Sequence, residues 1–216
     1  MFASQLYQTR TEKKSGSAPA DHELFRTLLQ PHFLFNSLNN LYALSVKKSE
    51  QTPAAIAGLS ELLQKVVYSA QQELIPLSME LKLIREYINL EKIWLGENAF
   101  YMDLSVSGST DGVMIPPLSL YTLVENGFKH GVRRSGNNGW ITIQVVIKED
   151  KLWFITRNSL PESDGDDVAK SVGIGLQAVK SVLGKSFPAS HQLEARRIGN
   201  LYCVDLKIDE LFKKSA

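Results

Sequence analysis

The hydrophobic pattern of this chain changes once, and that change limits the folds open to it. Over residues 22–95 the apolar side chains recur at helical spacing. The first seam consists of Leu24, Leu28, Phe35, Leu38 and Tyr42. From residue 100 onward, segments such as "FYMDLSVSG" alternate apolar and polar residues as strands do. The pattern predicts an α+β fold with a helical N-terminal part.

Local signals divide the two parts further. The helical part continues in "QTPAAIAGLSELLQKVV", whose predicted buried stripe is Ile56, Leu59, Leu63 and Val66. A third helix, "MELKLIREYINLEKIWL", follows it. In the second part, "WITIQVVIKEDKLWFITRN" and "HQLEARRIGNLYCVDLKI" each predict a hairpin. A helix opened by proline, "PPLSLYTLVENGFKHG", precedes the first hairpin.

The stretch "QPHFLFNSLNNL", residues 30–41, is apolar on more than one side. On a helix His32 lies on a flank of the seam, whereas Phe33 falls on the far side from it. One partner helix cannot bury such a segment, so we expect two copies of a helical hairpin to form a dimeric four-helix bundle. Pro31 bends the chain just before His32 and makes its imidazole reachable. The alternative is a histidine that satisfies a polar edge of the bundle.

The segment "LVENGFKHG" gathers an acid, an amide, an amine and an imidazole in the last turns of one helix. Glu125 and Lys129 are four residues apart, as are Asn126 and His130. An amide oxygen at Asn126 suits Mg²⁺, which takes oxygen ligands. The alternative, a cationic helix C-terminus closed by Gly131, accounts for Lys129 and His130 but leaves Glu125 and Asn126 unexplained.

The segment "VGIGLQAV" predicts a short helix that is opened by Gly173 and Gly175. Backbone N–H groups at such a helix start can approach a phosphate. The pattern also matches a dinucleotide fingerprint, but that fingerprint has to follow a buried strand directly, and here a polar loop precedes it. The alternative is a plain helix start.

Composition excludes several classes of function. The 24 Lys and Arg residues nearly balance 23 Asp and Glu residues, which gives no indication of nucleic-acid binding. The single cysteine, Cys203, excludes an intramolecular disulfide and fits a reducing compartment. Neither a signal peptide nor a stretch of about 20 apolar residues is present in the sequence.

The order of these segments resembles that of the LytS/YehU-type sensor histidine kinases. "PHFLFN" and "LVEN…KHG" are the most specific parts, and the resemblance covers residues 24–211. It implies a helical dimerisation and phosphoacceptor segment over residues 22–72. An α/β-sandwich ATP-binding domain of the Bergerat (GHKL) type over residues 73–216 would follow, after a flexible lead-in over residues 1–21.

The resemblance also implies a role for individual residues. His32 matches the phosphoacceptor, Asn126 the Mg²⁺ ligand, and Glu125 is the expected activator of His32. The remaining ATP-binding residues implied are Lys129, His130, Gly131, Asn158, Gly173, Gly175 and Leu176. The expected reaction is Mg²⁺-ATP-dependent autophosphorylation of His32, followed by transfer to an Asp of a response-regulator receiver domain.

One departure concerns adenine recognition. At the end of the "KLWFIT" strand, where the wider ATPase superfamily carries an Asp-x-Gly motif, this chain has "RNSLP", and Asn158 takes the position of the acid. Its carbonyl can still accept a hydrogen bond from the adenine amine, but without charge. We therefore expect weak ATP binding that Asn158→Asp would tighten.

Two other functions stay open. One is a degenerate, dimeric signalling or scaffold module without kinase activity, and the other is an ATPase or kinase that phosphorylates a partner. We expect a cytoplasmic location at the inner face of the membrane, through an upstream membrane or sensor region outside this sequence.

Overall fold

The structure, a computed structural model, describes residues 31–161 and 167–213. The predicted lead-in, the seam residues Leu24 and Leu28, and residues 162–166 of the polar loop lie outside the described residues. The helices are α1 (Pro31–Val46), α2 (Thr52–Ser69), α3 (Leu77–Leu95), α4 (Ser119–His130) and α5 (Asp167–Ser186). The strands are β1 (Ile75–Pro76), β2 (Phe100–Ser107), β3 (Val113–Ile115), β4 (Gly139–Lys148), β5 (Lys151–Ser159), β6 (His191–Ile198), β7 (Leu201–Ile208) and β8 (Phe212–Lys213).

Helices α1 and α2 form a hairpin, and α2 also packs on α3. Leu59, Leu62 and Val66 of α2 are buried, as predicted for Leu59 and Val66. The prediction of a buried Ile56 is wrong, because its side chain is 49% exposed. Helix α2 packs against both α1 and α3. Its buried face is therefore rotated about the helix axis relative to the stripe predicted for packing against one helix.

The five-stranded sheet has the order β2-β4-β5-β7-β6. Strands β2 and β4 are parallel, and the other neighbours are antiparallel. Both predicted hairpins, β4–β5 and β6–β7, are confirmed. A second sheet of three short strands has the order β1-β3-β8. The fold is thus α+β with a mixed sheet.

Helices α3, α4 and α5 contribute to the same core as one face of the sheet. Along β5 the alternation of the pleat turns Phe154, Thr156 and Asn158 toward this core, and Arg157 away from it. The pairing of Asn158 with Ile141 sets this register. Asn158 is therefore a buried polar residue beneath the helices.

Helix α5 begins earlier than the sequence suggested. The glycine pair was expected to open the helix, but α5 already begins at Asp167, so Gly173 and Gly175 lie inside it. Their backbone N–H groups are therefore not those of a free helix start. Glycine inside a helix costs about 1 kcal/mol relative to alanine, so its presence needs another reason.

None of the described helices has both the length and the hydrophobicity needed to cross a membrane.

Candidate nucleotide and phosphoacceptor site

Helix α4 lies at the centre of the candidate site and presents a different residue set to each neighbour. Toward α3 it packs aromatic rings edge to face, with centroid distances of 5.3 Å for Tyr87–Tyr121 and 5.5 Å for Tyr87–Phe128. Toward the sheet it presents Gly127, and toward α5 it presents Asn126. The rotation of α4 about its own axis therefore decides what faces the site.

The side chain of Asn126 lies directly against the backbone of α5. A β-carbon built on Gly175 would stand 2.8 Å from Asn126 Nδ2 and 3.4 Å from Thr122 Cγ2. This close approach is the reason for glycine at position 175. The structure thus brings together two of the predicted residues, Asn126 and Gly175, while Leu176 is half-buried against the core.

Asn158 lies beneath the C-terminal end of α4. A β-carbon on Gly131 would stand 2.0 Å from Asn158 Nδ2, and one on Gly127 would stand 3.3 Å from Asn158 Oδ1. The two glycines therefore make room for this amide. Asn158 Nδ2 donates to Ser159 O at 2.9 Å.

The oxygen of the Asn158 amide has no hydrogen-bond donor among the described residues. This atom, Oδ1, is buried. Buried acceptors are nearly always satisfied, so an unsatisfied one needs an explanation. A bound group that carries an N–H donor would supply the missing bond, and the exocyclic amine of adenine is such a donor.

Burial shifts the pKa of two ionisable residues of the site. Burial raises the pKa of the Glu125 carboxyl, against the opposing effects of Lys129 and Arg133. Burial lowers the pKa of His130 to about 4, and the charges of Lys129 and Arg134 add to this. His130 is thus neutral at pH 7, so of the two basic residues predicted here only Lys129 brings a positive charge.

His32 lies in the first turn of α1, and its side chain is outside the described residues. Farther along α1 an apolar stripe faces outward. Phe35, Leu38, Tyr42 and Val46 are between 56% and 71% exposed. Ser37, on the opposite face of α1, is buried. The predicted seam residues Phe35, Leu38 and Tyr42 therefore point away from α2, as a surface for a second partner would.

The structure also shows two buried carboxylates for which the sequence suggested no role. Glu80 and Glu91 of α3 are both fully buried. Glu80 accepts hydrogen bonds from the backbone N–H groups of Leu118 and Tyr121, each at 2.9 Å. Glu91 accepts two from Arg133, at 2.9 and 2.6 Å. Their spacing of eleven residues, three helical turns on one face, was the available signal.

No group of three or more His, Cys, Asp or Glu side chains that could hold a metal occurs among the described residues. A Mg²⁺ ion would therefore rely on Asn126, on water and on phosphate oxygens. Such a shell is common for Mg²⁺, which keeps several waters and is often held by few protein ligands. The donor set fits Mg²⁺ bound together with a nucleotide.

Comparison with known proteins finds similarity to histidine kinases. The family model described as histidine kinase matches residues 20–99. "Sensor protein LytS" of Enterococcus faecalis is 27% identical over 206 residues, which are 94% of this chain and 33% of that protein. "Sensor histidine kinase/phosphatase LytS" of Staphylococcus aureus is 27% identical over 225 residues, 94% of this chain and 37% of that protein. The similarity to these two relatives extends over most of this chain.

These similarities confirm the predicted resemblance to the LytS-type sensor histidine kinases. The chain spans about a third of the length of these two relatives. Among solved structures, the histidine kinase domain from the blue-light activated kinase of Erythrobacter litoralis EL346 superposes with a TM-score of 0.49 at 11% identity, covering 88% of this chain and 92% of that one.

Proposed function

We propose that this chain is the kinase part of a two-component sensor, which binds Mg²⁺-ATP between α4, α5 and the end of β5 and phosphorylates His32. The observation that carries the proposal is the buried, unsatisfied acceptor Asn158 Oδ1 at the foot of α4. An adenine amine would satisfy it. No neighbouring side chain among the described residues does so.

The phosphates would lie farther along α4. The side-chain amide of Asn126 lies against α5 and would supply an oxygen ligand, and Lys129, about one helical turn farther along α4, would supply a positive charge. Gly131, Gly173, Gly175 and Leu176 are the proposed backbone and apolar boundary of the pocket. Mg²⁺, when bound, would neutralise charge on the phosphate oxygens, and phosphoryl transfer depends mainly on such neutralisation and on positioning.

His32 is the proposed acceptor. One ring nitrogen would form a bond to the γ-phosphorus as the bond from that phosphorus to its bridging oxygen breaks, and ADP would leave. Glu125 is the proposed acceptor of the imidazole proton, and its raised pKa brings the carboxylate closer to a useful basicity. His130, neutral and buried, would act only through hydrogen bonds.

The protein is proposed to be a homodimer through α1 and α2. The outward stripe of α1 supports this, because four large apolar residues at helical spacing are seldom left in water. Two such hairpins would make the four-helix bundle, over residues 22–72, beside a GHKL-type ATP-binding domain over residues 73–216. Transfer to the Asp of a receiver domain, a cytoplasmic location and an upstream sensor or membrane region are proposals that rest on the family.

Labelled Mg²⁺-ATP tests the proposal directly. Wild type should become labelled, and the phosphate should be acid-labile, as phosphohistidine is. His32→Gln should abolish labelling but keep Mg²⁺-ATP binding. Asn126→Ala should lose binding, because it lacks the amide oxygen. Full labelling of the His32→Gln chain would remove His32 as the acceptor.

A mixed dimer of these two variants tests whether transfer takes place within one chain or between the two chains. One chain then has His32 but no working pocket, and the other has the pocket but no His32. Label on the Asn126→Ala chain would show transfer across the dimer. An unlabelled mixture would show transfer within one chain.

A second function is favoured by one residue. Asn158 replaces an acid that would make a charged, stronger hydrogen bond to adenine. A chain that dimerises but binds no Mg²⁺-ATP at millimolar concentration would be a signalling or scaffold module. Calorimetry with Mg²⁺-ATP separates this function from that of a working kinase.

A further inference from the structure

Helix α3 places two glutamates where they reach the two ends of α4. Glu80 and Glu91 are eleven residues apart, which on a helix is about 16 Å. Helix α4 has 12 residues and is therefore about 18 Å long. The two helices run in the same direction, since Glu80 meets the start of α4 and Glu91 meets the chain just after its end.

The start of α4 has no cap of its own. Leu118, which precedes it, has a left-handed backbone with φ 62°, and none of the local side chains caps the helix. The first N–H groups of a helix have no partner within the helix and must find one elsewhere. Here the partner is Glu80, whose two oxygens take the N–H groups of Leu118 and Tyr121. The cap is thus supplied by another helix, 38 and 41 residues away in sequence.

The end of α4 is held in a different way. Arg133 lies three residues beyond the last residue of the helix, His130, and forms a two-pronged ion pair with Glu91. Its guanidinium also lies over the Trp94 ring, 5.6 Å from the centroid. A planar guanidinium bound at two points has a fixed orientation. The ammonium group of a lysine at this position would not be oriented in this way.

These contacts carry a desolvation cost, because they bury charged groups. A buried ion pair often adds little stability compared with apolar residues of the same size. Burial also raises the pKa of the Glu80 carboxyl to about 7, which shows that its charge is poorly accommodated. What directed polar contacts supply is a defined axial position and a defined rotation. The rotation of α4 decides whether Asn126 faces α5.

We propose that Glu80 and Glu91 are positioning residues for nucleotide binding, which fix the two ends of α4 so that Asn126 is held toward α5. This inference rests on the proposed function, in which Asn126 helps to bind Mg²⁺-ATP. Neither glutamate touches the nucleotide. A helix with free ends would keep its packing but lose the fixed direction of this amide.

The test compares Glu80→Gln and Glu91→Gln with a destabilised control. A Gln at position 80 can accept only through its single oxygen, and its amino group would face a backbone N–H. The control is Leu90→Ala, because Leu90 lies on the same helix but packs against α2, where it lies 3.2 Å from a β-carbon built on Gly58. Truncating a buried leucine costs about 2–5 kcal/mol, so this control destabilises the protein through the packing of α3 on α2.

Mg²⁺-ATP affinity and the unfolding temperature are measured on the full chain. We expect each Gln variant to bind about tenfold more weakly, the equivalent of one charged hydrogen bond. Leu90→Ala should bind within about twofold of wild type, although its unfolding temperature falls at least as far. In the nucleotide-free protein, amide exchange along α4 should speed up in the Gln variants relative to the rest of the core.

Equal affinity losses in Leu90→Ala and in the Gln variants would overturn the inference, as would wild-type affinity in both Gln variants. Should a Gln variant fail to fold, Glu80→Asp and Glu91→Asp keep the carboxyl group but shorten the reach by one methylene. Weaker binding by these variants supports the inference, and wild-type binding overturns it. If wild type itself binds no Mg²⁺-ATP, or Asn126→Ala binds as wild type does, the proposed function fails instead.

Discussion

Gly175 and Asn126 are in such close contact that no side chain fits between them: a β-carbon on Gly175 would stand 2.8 Å from Asn126 Nδ2. Gly175→Ala must therefore move the amide or separate α5 from α4. We predict that Mg²⁺-ATP affinity falls about tenfold, a change that corresponds to 1.4 kcal/mol. Isothermal calorimetry measures it.

Gly184→Ala in the same helix is the matched control. The nearest atom to a β-carbon there is His191 Cε1 at 4.0 Å, so the methyl group has room. It should leave nucleotide affinity unchanged and raise the free energy of unfolding by up to about 1 kcal/mol, the helix preference of alanine over glycine. Similar affinity losses in both variants would mean that position 175 has no special relation to Asn126.

The structure reverses the expectation for Asn158→Asp. The sequence suggested that an acid would tighten ATP binding, but Asn158 Nδ2 donates to the carbonyl of Ser159. An aspartate would place an oxygen against that carbonyl in a fully buried position. We predict a loss of stability of about 1–3 kcal/mol, the penalty for a buried group without its partner, and no gain in affinity. Urea unfolding and calorimetry test the two parts separately, and tighter binding at unchanged stability would contradict this prediction.

Two buried groups should give opposite dependences of stability on pH. Burial raises the pKa of Glu80 from 4.5 to about 7, so the folded state holds a proton that the unfolded state releases. Its contribution is therefore fully present below pH 4.5 and is lost as the pH rises toward 7. Burial lowers the pKa of His130 from 6.5 to about 4, so its contribution is lost as the pH falls through that range.

Between pH 4.5 and 6.5 the two effects nearly cancel in wild type. In Glu80→Gln only the effect of His130 remains, so the free energy of unfolding should rise with pH. In His130→Gln only the effect of Glu80 remains, so the free energy of unfolding should fall as the pH rises. Each slope should reach about 1.4 kcal/mol per pH unit at most. Urea titrations at a series of pH values measure it, and parallel curves for the two variants would refute the assignment.

The outward stripe of α1 predicts the oligomeric state. Tyr42 and Leu38 are 71% and 56% exposed in the single chain. Leu38→Glu together with Tyr42→Glu should give a monomer by light scattering at tens of micromolar, because four charges cannot be buried at a two-fold seam. Ala43→Glu, about 95° round the helix from the stripe, is the control and should remain dimeric. A wild-type monomer at that concentration would contradict the proposed bundle.

Sequence reasoning worked where the signal is local. The hairpins β4–β5 and β6–β7 follow from alternation and turn residues within about 20 positions. The parallel pairing of β2 with β4 could not be foreseen, because its partners lie far apart in sequence and nothing local specifies them.

The glycine pair shows a different limit. A glycine needed for a helix start and one needed for close helix packing look the same in sequence, and Gly175 is the second kind. Glu80 and Glu91 were overlooked for a related reason. Charged residues on a helix usually face solvent, so the spacing of this pair on one face does not by itself indicate that both are buried.

The parallel pairing of β2 with β4 has a consequence for how the site comes into existence. Phe100 pairs with Gly139, so α4 lies within the connection between the two strands. A 12-residue helix is marginal when isolated, and pairings between distant residues form slowly because the loop between them must close first. Asn126 is therefore in place only in molecules whose sheet is already formed. In a destabilised variant, the fraction of molecules that bind nucleotide should fall in step with global unfolding. The affinity of the molecules that remain folded should not change.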